Sequence, residues 1–154
     1  AYDGRMMVGA GTVTTMERLR EAMAADAQFI VTPNVNDEVI RACVAQELLI
    51  TPGALTPSEI CRASELGCKY VKLFPTTSLG PAYLKSVRAS LSDTSILVVG
   101  GIDHSNFADY LKAGAYGAGV GGGMCRMNCA SDAETITSEA RMLIELRRSL
   151  VPSV

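Results

Sequence analysis

Short apolar runs alternate with stretches in which apolar residues recur three and four apart, and the alternation repeats roughly every 20 residues. The runs are Met6–Gly11, Phe29–Pro33, Leu48–Gly53, Tyr70–Pro75, Ile96–Gly101 and Tyr116–Gly122. Such near-continuous hydrophobicity predicts strands covered on both faces, as in parallel sheets. The segments between them carry helix starts. Thr14-Thr15-Met16-Glu17 has capping-box character ahead of a helix to about Ala25. Asn36-Asp37 opens the next, and Thr56-Pro57-Ser58-Glu59 places proline in a first turn. Gly80-Pro81 begins a fourth helix to about Ser90, and His104-Ser105-Asn106 a fifth that stops at Ala113-Gly114. Ser131-Asp132 opens a long last helix to about Leu150, with Arg141, Arg147 and Arg148 in its C-terminal half. Residues 124–130 read as an irregular loop.

Strand and helix in strict alternation predict βαβ units and a parallel sheet. A doubly wound sheet would show a dinucleotide fingerprint in its first unit, and Gly9-Ala10-Gly11 lacks the third glycine. A (β/α)8 TIM barrel has eight units, usually in about 250 residues. Six units are present here, so the expectation is a single partial barrel domain over residues 1–154, with the first two units missing. An open barrel leaves two unpaired edges. Either N-terminal residues unseen here or another chain would then cover the gap.

Composition removes several function classes. A net charge of −2 with acids and bases interleaved gives no basic stripe for nucleic acid. No apolar run approaches the roughly 18 residues of a membrane helix, and no signal peptide opens the chain. Cys43, Cys61, Cys68, Cys125 and Cys129 form no Cys-x-x-Cys pair, and His104 is the single histidine, so no zinc pattern is present. That usage fits a reducing, cytoplasmic compartment, with the thiols as small core residues.

The candidate chemistry begins at Lys72, an ammonium in mid-strand. Tyr70, Lys72 and Phe74 share one strand face, and Val71 and Leu73 the other. If Val71 and Leu73 pack on helices, Lys72 points inward. Desolvation would lower its pKa, and a neutral amine attacks ketones to form a Schiff base. A lysine at a strand end can equally snorkel out of a barrel mouth. The second feature is glycine: Gly100-Gly101 and Gly119-Val120-Gly121-Gly122-Gly123 end the last two strands. These are the barrel positions that often hold a phosphate. Glycine there serves either close backbone approach to an anion or a tight turn.

Together Val8-Gly9-Ala10-Gly11-Thr12-Val13, Ile30-Val31-Thr32-Pro33, Ile50-Thr51-Pro52-Gly53, Val71-Lys72-Leu73-Phe74-Pro75, Val99-Gly100-Gly101-Ile102 and Gly119-Val120-Gly121-Gly122 identify a family. The chain resembles the class I 2-keto-3-deoxy-6-phosphogluconate (KDPG) and 4-hydroxy-2-oxoglutarate (KHG) aldolases, trimeric (β/α)8 barrels. The resemblance implies that Lys72 is the Schiff-base lysine, cleaving a 2-keto acid to pyruvate and an aldehyde. It implies that Thr12 bonds the substrate, although that threonine could also cap the following helix. Pro33 and Pro52 would shape the rim, and Phe74 would pack beside the imine. Gly100, Gly101, Gly121 and Gly122 would cradle a phosphate through their N–H groups. The resemblance implies no metal or cofactor, a small-molecule 2-keto acid partner and a homotrimer. It also exposes departures. The family's Glu-x-Thr-x-Arg segment, with its acid/base glutamate and carboxylate-binding arginine, does not occur in these residues. Thr76-Thr77 replaces the frequent Ala-Glu, Val99 the frequent threonine, and Gly123 a frequent serine or asparagine. Phosphorylated and unphosphorylated substrates both stay open. So do two other readings: a phosphate-binding barrel enzyme without imine chemistry, and an inactive remnant acting as a binding or assembly module.

Overall fold

The computed structural model describes residues 4–121 and 133–150. The chain is an α/β fold with parallel sheets, and its six βα units fit a partial barrel. In order the elements are β1 (Ala10–Gly11), α1 (Met16–Ala24), β2 (Phe29–Val31), α2 (Asp37–Ala45), β3 (Leu49–Thr51), β4 (Gly53–Ala54), α3 (Pro57–Glu65), β5 (Tyr70–Leu73), α4 (Gly80–Ser90), β6 (Ser95–Val99), α5 (Phe107–Lys112), β7 (Gly117–Gly119) and α6 (Ala133–Leu150). They group into two compact units, Ala1–Lys72 and Leu73–Val154.

In the first unit β1, β2 and β3 are parallel neighbours, with Ala10 opposite Ile30 and Ile30 opposite Ile50. The third predicted strand is divided, because Pro52 has no N–H to offer the ladder. The first is far shorter than the predicted Met6–Gly11: Met6, Met7 and Val8 are exposed. Position 9 has to be glycine, since the Phe29 ring lies where a side chain there would sit, 2.5 Å from that Cβ position. Val13, Leu19, Ile30, Val39, Ile40, Cys43, Ile50 and Leu66 close the core of this unit.

Each helix of the first unit starts where a side chain can accept a backbone N–H. Thr15 rather than Thr14 caps α1, accepting from Arg18 N at 3.3 Å, and the Glu17 capping box does not form. Asn36 Oδ1 accepts from Glu38 and Val39. Before α3 the capping box is complete, with Glu59 N–H donating to Thr56 Oγ1 and Thr56 N–H to Glu59 Oε2. Proline sits at its first turn.

In the second unit β6 and β7 are parallel, with Val98 opposite Ala118. Leu84, Val87, Ile96, Val98, Ile102, Phe107, Tyr110 and Leu143 are buried there. Burial along the strands alternates instead of covering both faces. Val71 and Leu73, or Ile96 and Val98, are fully buried, while Lys72, Leu97 and Val99 are half-buried. The apolar run therefore overstated the cover in β5 and β6, where one face is buried and the other is half-exposed. No described helix is long and apolar enough to cross a membrane.

Candidate active site

Lys72 sits where β5 is held from the backbone: its N–H donates to the Pro52 carbonyl at 2.8 Å. Its side chain leaves the half-buried face, opposite the fully buried Val71 and Leu73. Burial pushes its ammonium below the usual lysine value, because a charge in reduced solvent is the costlier form. Lys69, one position before the strand, is exposed and lies 5.4 Å from the ring centroid of Tyr70. The two lysines of this segment are thus in different environments.

Three other expected positions fall at strand ends of the same unit. Thr12 follows β1 with φ of 59°, an outlier for a β-branched residue. Its carbonyl accepts from Arg18 Nη1 at 3.1 Å, which holds that turn. Thr12 is exposed and does not cap α1, the role that Thr15 takes. Pro33 is half-buried after β2, and Pro52 is buried between β3 and β4. Gly53 makes this packing possible: a Cβ there would lie 2.4 Å from the Pro33 carbonyl carbon.

In the second unit Phe74 is half-buried, and the Phe74–Pro75 peptide is cis. Its ring faces Gly100, whose Cβ position is 3.6 Å from Phe74 Cδ2. Gly100 and Gly101 have φ of 104° and 69°, conformations that L side chains rarely adopt. A tight turn is therefore part of their reason for being glycine. Gly121 differs: among the described residues nothing lies within 4 Å of its Cβ position, and its φ is not reversed. Gly122 and Gly123 lie outside the described residues, as do Cys125, Cys129 and the predicted helix start at Ser131-Asp132.

The other titratable groups have structural occupations. His104 is exposed, with Nδ1 3.2 Å from Glu139 Oε2. Asp103 accepts from Ser105 N at 2.9 Å and Ser105 Oγ at 2.5 Å, and these bonds hold its carboxyl below the usual range. Burial raises the Cys43 and Cys68 thiols to about 11, which disfavours the reactive thiolate at both. Sequence reasoning marked Thr76 only as a strand-end hydroxyl replacing a frequent alanine; it is fully buried, with its hydroxyl on the carbonyls of Val99 and Gly100. The available signal was Thr76-Thr77 following Phe-Pro, polar residues where a strand exits.

Comparison with known proteins places this arrangement. A family model described as KDPG and KHG aldolase matches residues 3–138. A 2-dehydro-3-deoxy-6-phosphogalactonate aldolase of Escherichia coli (strain K12) is 35% identical over 152 residues, covering 98% of this chain and 73% of the relative. A 2-dehydro-3-deoxy-phosphogluconate aldolase of Pseudomonas aeruginosa is 38% identical over 107 residues, 69% of this chain and 49% of that protein. The chain thus spans about half the length of several curated relatives that it matches. A solved structure described as native KDPGal superposes with a TM-score of 0.88 at 34% identity, covering 99% of this chain and 73% of that one. These relatives are named aldolases, enzymes that break a carbon–carbon bond. From the strand-borne lysine, the glycine-ended strands and these matches, the chain belongs to the KDPG and KHG aldolase family.

Proposed function

We propose that this chain carries the Schiff-base centre of a class I aldolase. The substrate is a 2-keto-3-deoxy sugar acid 6-phosphate, and the products are pyruvate and an aldehyde. The supporting observation is Lys72: half-buried, on the strand face opposite Val71 and Leu73, with its pKa lowered by burial. A larger neutral fraction at physiological pH is what nucleophilic attack on a C2 ketone requires. Attack gives a carbinolamine, and loss of water gives a cationic imine. The C3–C4 bonding pair flows into that imine as the C4 hydroxyl loses its proton, releasing the aldehyde. The enamine left on Lys72 takes a proton at C3, and hydrolysis frees pyruvate.

Thr12, Pro33 and Pro52 serve in this reading as strand-end groups around the keto acid, and Phe74 as the apolar neighbour of the imine. Gly100, Gly101 and Gly121 offer N–H groups to the phosphate. Names of relatives support the phosphorylated substrate, both curated examples being aldolases of 2-dehydro-3-deoxy phospho sugar acids. Assembly as a homotrimer in the cytoplasm belongs to the same reading.

The test is covalent trapping. The whole protein is incubated with pyruvate and borohydride, then digested and mapped by mass. The reduced adduct should fall on Lys72 and vanish in Lys72→Met. A folded wild-type protein with no adduct, or a Lys72→Met variant with near-normal turnover, would replace imine chemistry with a phosphate-binding enzyme of another kind.

A further inference from the structure

The loop after β5 is fastened to the end of β6 by a residue that the imine chemistry does not employ. Thr76 is fully buried, with its hydroxyl oxygen 2.7 Å from the Gly100 carbonyl and 3.0 Å from that of Val99. Its own N–H already donates to Val99 at 3.1 Å. The single hydroxyl proton is therefore best used on Gly100. Behind it, the buried Tyr110 donates its phenol proton to the Thr76 carbonyl at 3.1 Å. One residue further along, Asn106 Nδ2 donates to the Gly101 carbonyl at 2.7 Å.

A trans peptide is planar, and its C=O and N–H point in opposite directions. A donor that pins the Gly100 carbonyl thereby aims the Gly101 N–H to the other side. Asn106 does the same for the peptide between Gly101 and Ile102. The hold is needed because both glycines lie in the left-handed region, where no Cβ restricts rotation into neighbouring wells. A backbone donor aligned before the ligand arrives loses less entropy on binding.

We propose that Thr76 is a positioning residue for the substrate phosphate, holding the Gly100 carbonyl so that the Gly101 N–H faces the anion. The assignment rests on the phosphate reading above, and it separates from the imine because the Thr76 hydroxyl is engaged by the carbonyls of Val99 and Gly100. The variants are Thr76→Val, similar in shape but without the donor, Thr76→Ser, which keeps it, and Tyr110→Phe. Each is made in the whole protein and checked for folding by circular dichroism. Steady-state kinetics are measured on a 2-keto-3-deoxy-6-phospho sugar acid and on its unphosphorylated counterpart, alongside borohydride trapping with pyruvate.

Thr76→Val should raise KM for the phosphorylated substrate about tenfold, with kcat/KM for the unphosphorylated one within about twofold and trapping unchanged. Thr76→Ser should restore the phosphorylated KM, and Tyr110→Phe should fall between. Equal losses on both substrates, or none on either, would overturn the proposal, as would a serine variant as weak as the valine one. A wild type that traps pyruvate yet shows no preference for the phosphorylated substrate would overturn the phosphate reading and this proposal together. Failure of the wild type to trap pyruvate while it still turns over the phosphorylated substrate would remove the imine reading alone, because the KM comparison stands without it. No turnover of either substrate would overturn both.

Discussion

Replacing Gly53 by alanine should destabilise the first unit and slow imine formation, for a reason that can be measured from the coordinates. The new methyl carbon would lie 2.4 Å from the Pro33 carbonyl carbon, 2.5 Å from its oxygen and 2.8 Å from the Thr32 oxygen. Optimal separation between such atoms is about 3.5–4.0 Å, so the overlap is about 1 Å. All three atoms are backbone, and no side-chain rotation relieves them. The exit of β2 must move away from β3, which strains the 3.3 Å bond from Thr32 N–H to the Thr51 carbonyl and loosens packing at Ile30 and Ile50. Overpacking costs about 1–3 kcal/mol and a weakened buried hydrogen bond about 1 kcal/mol more. The stiffer unfolded chain returns about 0.4–1 kcal/mol. The net loss is about 1–3.5 kcal/mol, or a fall in Tm of about 2–14 °C for a chain of this size.

Gly11→Ala is the matched control. It too lies in a strand, but nothing approaches its Cβ position within 4 Å and its φ is not reversed. Its effect should stay within about 0.5 kcal/mol. Thermal and urea unfolding, followed on the wild type and both variants, give the comparison. Because the Pro52 carbonyl that holds Lys72 N–H immediately precedes Gly53, borohydride trapping should slow in Gly53→Ala and not in Gly11→Ala. Equal melting temperatures for the two variants would refute the close-approach argument, whatever the trapping showed.

Two further predictions concern pH. Lys72 titrates below its ordinary value in the folded state, so between the two values the unfolded chain binds more protons and stability rises with pH. The stability of wild type relative to Lys72→Met, from urea unfolding, should therefore increase from neutral pH towards the ordinary lysine range; a flat difference would mean the amine is fully solvated. Glu59 has the opposite sign. Hydrogen bonds from Leu55, Thr56 N and Thr56 Oγ1 lower its pKa, so its contribution is present above the ordinary glutamate value and is lost as pH falls through the folded one. Glu59→Ala should cost about 1 kcal/mol at neutral pH and nothing measurable in strong acid; a penalty unchanged across that range would assign the loss to packing.

The parts of this fold legible in the sequence are those decided by near neighbours. Asn36, Thr56 and Glu59 satisfy N–H groups two or three residues away, so the helix starts they mark could be read directly. Thr15 displaced Thr14 because adjacent threonines offer the same chemistry, and only tertiary placement chooses between them. The need for glycine at position 9 depends on Phe29, about one unit further along, crossing it. The half-buried setting of Lys72 was legible because alternation places it opposite two aliphatic residues on the same strand. Thr76 was legible only as a polar residue at a strand end, because the partner of its hydroxyl, Gly100, is 24 residues distant. Glycines show the limit most clearly. Gly117 and Gly119 make room for Leu97 and Val99, Gly100 and Gly101 turn the chain, and Gly121 meets neither need among the described residues. One letter stands for at least two physical reasons, and the motif cannot tell them apart.

The two halves of the proposed reaction draw on different resources, and the described residues supply them unequally. Forming the imine asks chiefly for an amine whose protonated form is disfavoured, and a half-buried strand face provides that at Lys72. Breaking C3–C4 asks also for a group that takes the C4 hydroxyl proton and returns one to C3. Thr12, Thr32, Asn34, Thr51, Thr76, Thr77 and Ser78 stand at the strand ends, with hydroxyl and amide side chains that titrate far from neutrality. Asp103, in the segment between β6 and α5, is committed to Ser105 and held below the usual range, which makes it a poor acid and a weakened base. Proton transfer in this reading therefore falls to substrate-bound water or to a carboxylate beyond these residues, the role that resemblance gives to the family's glutamate. The covalent step is the one that Lys72 itself can perform, which is why trapping tests the assignment more directly than turnover does.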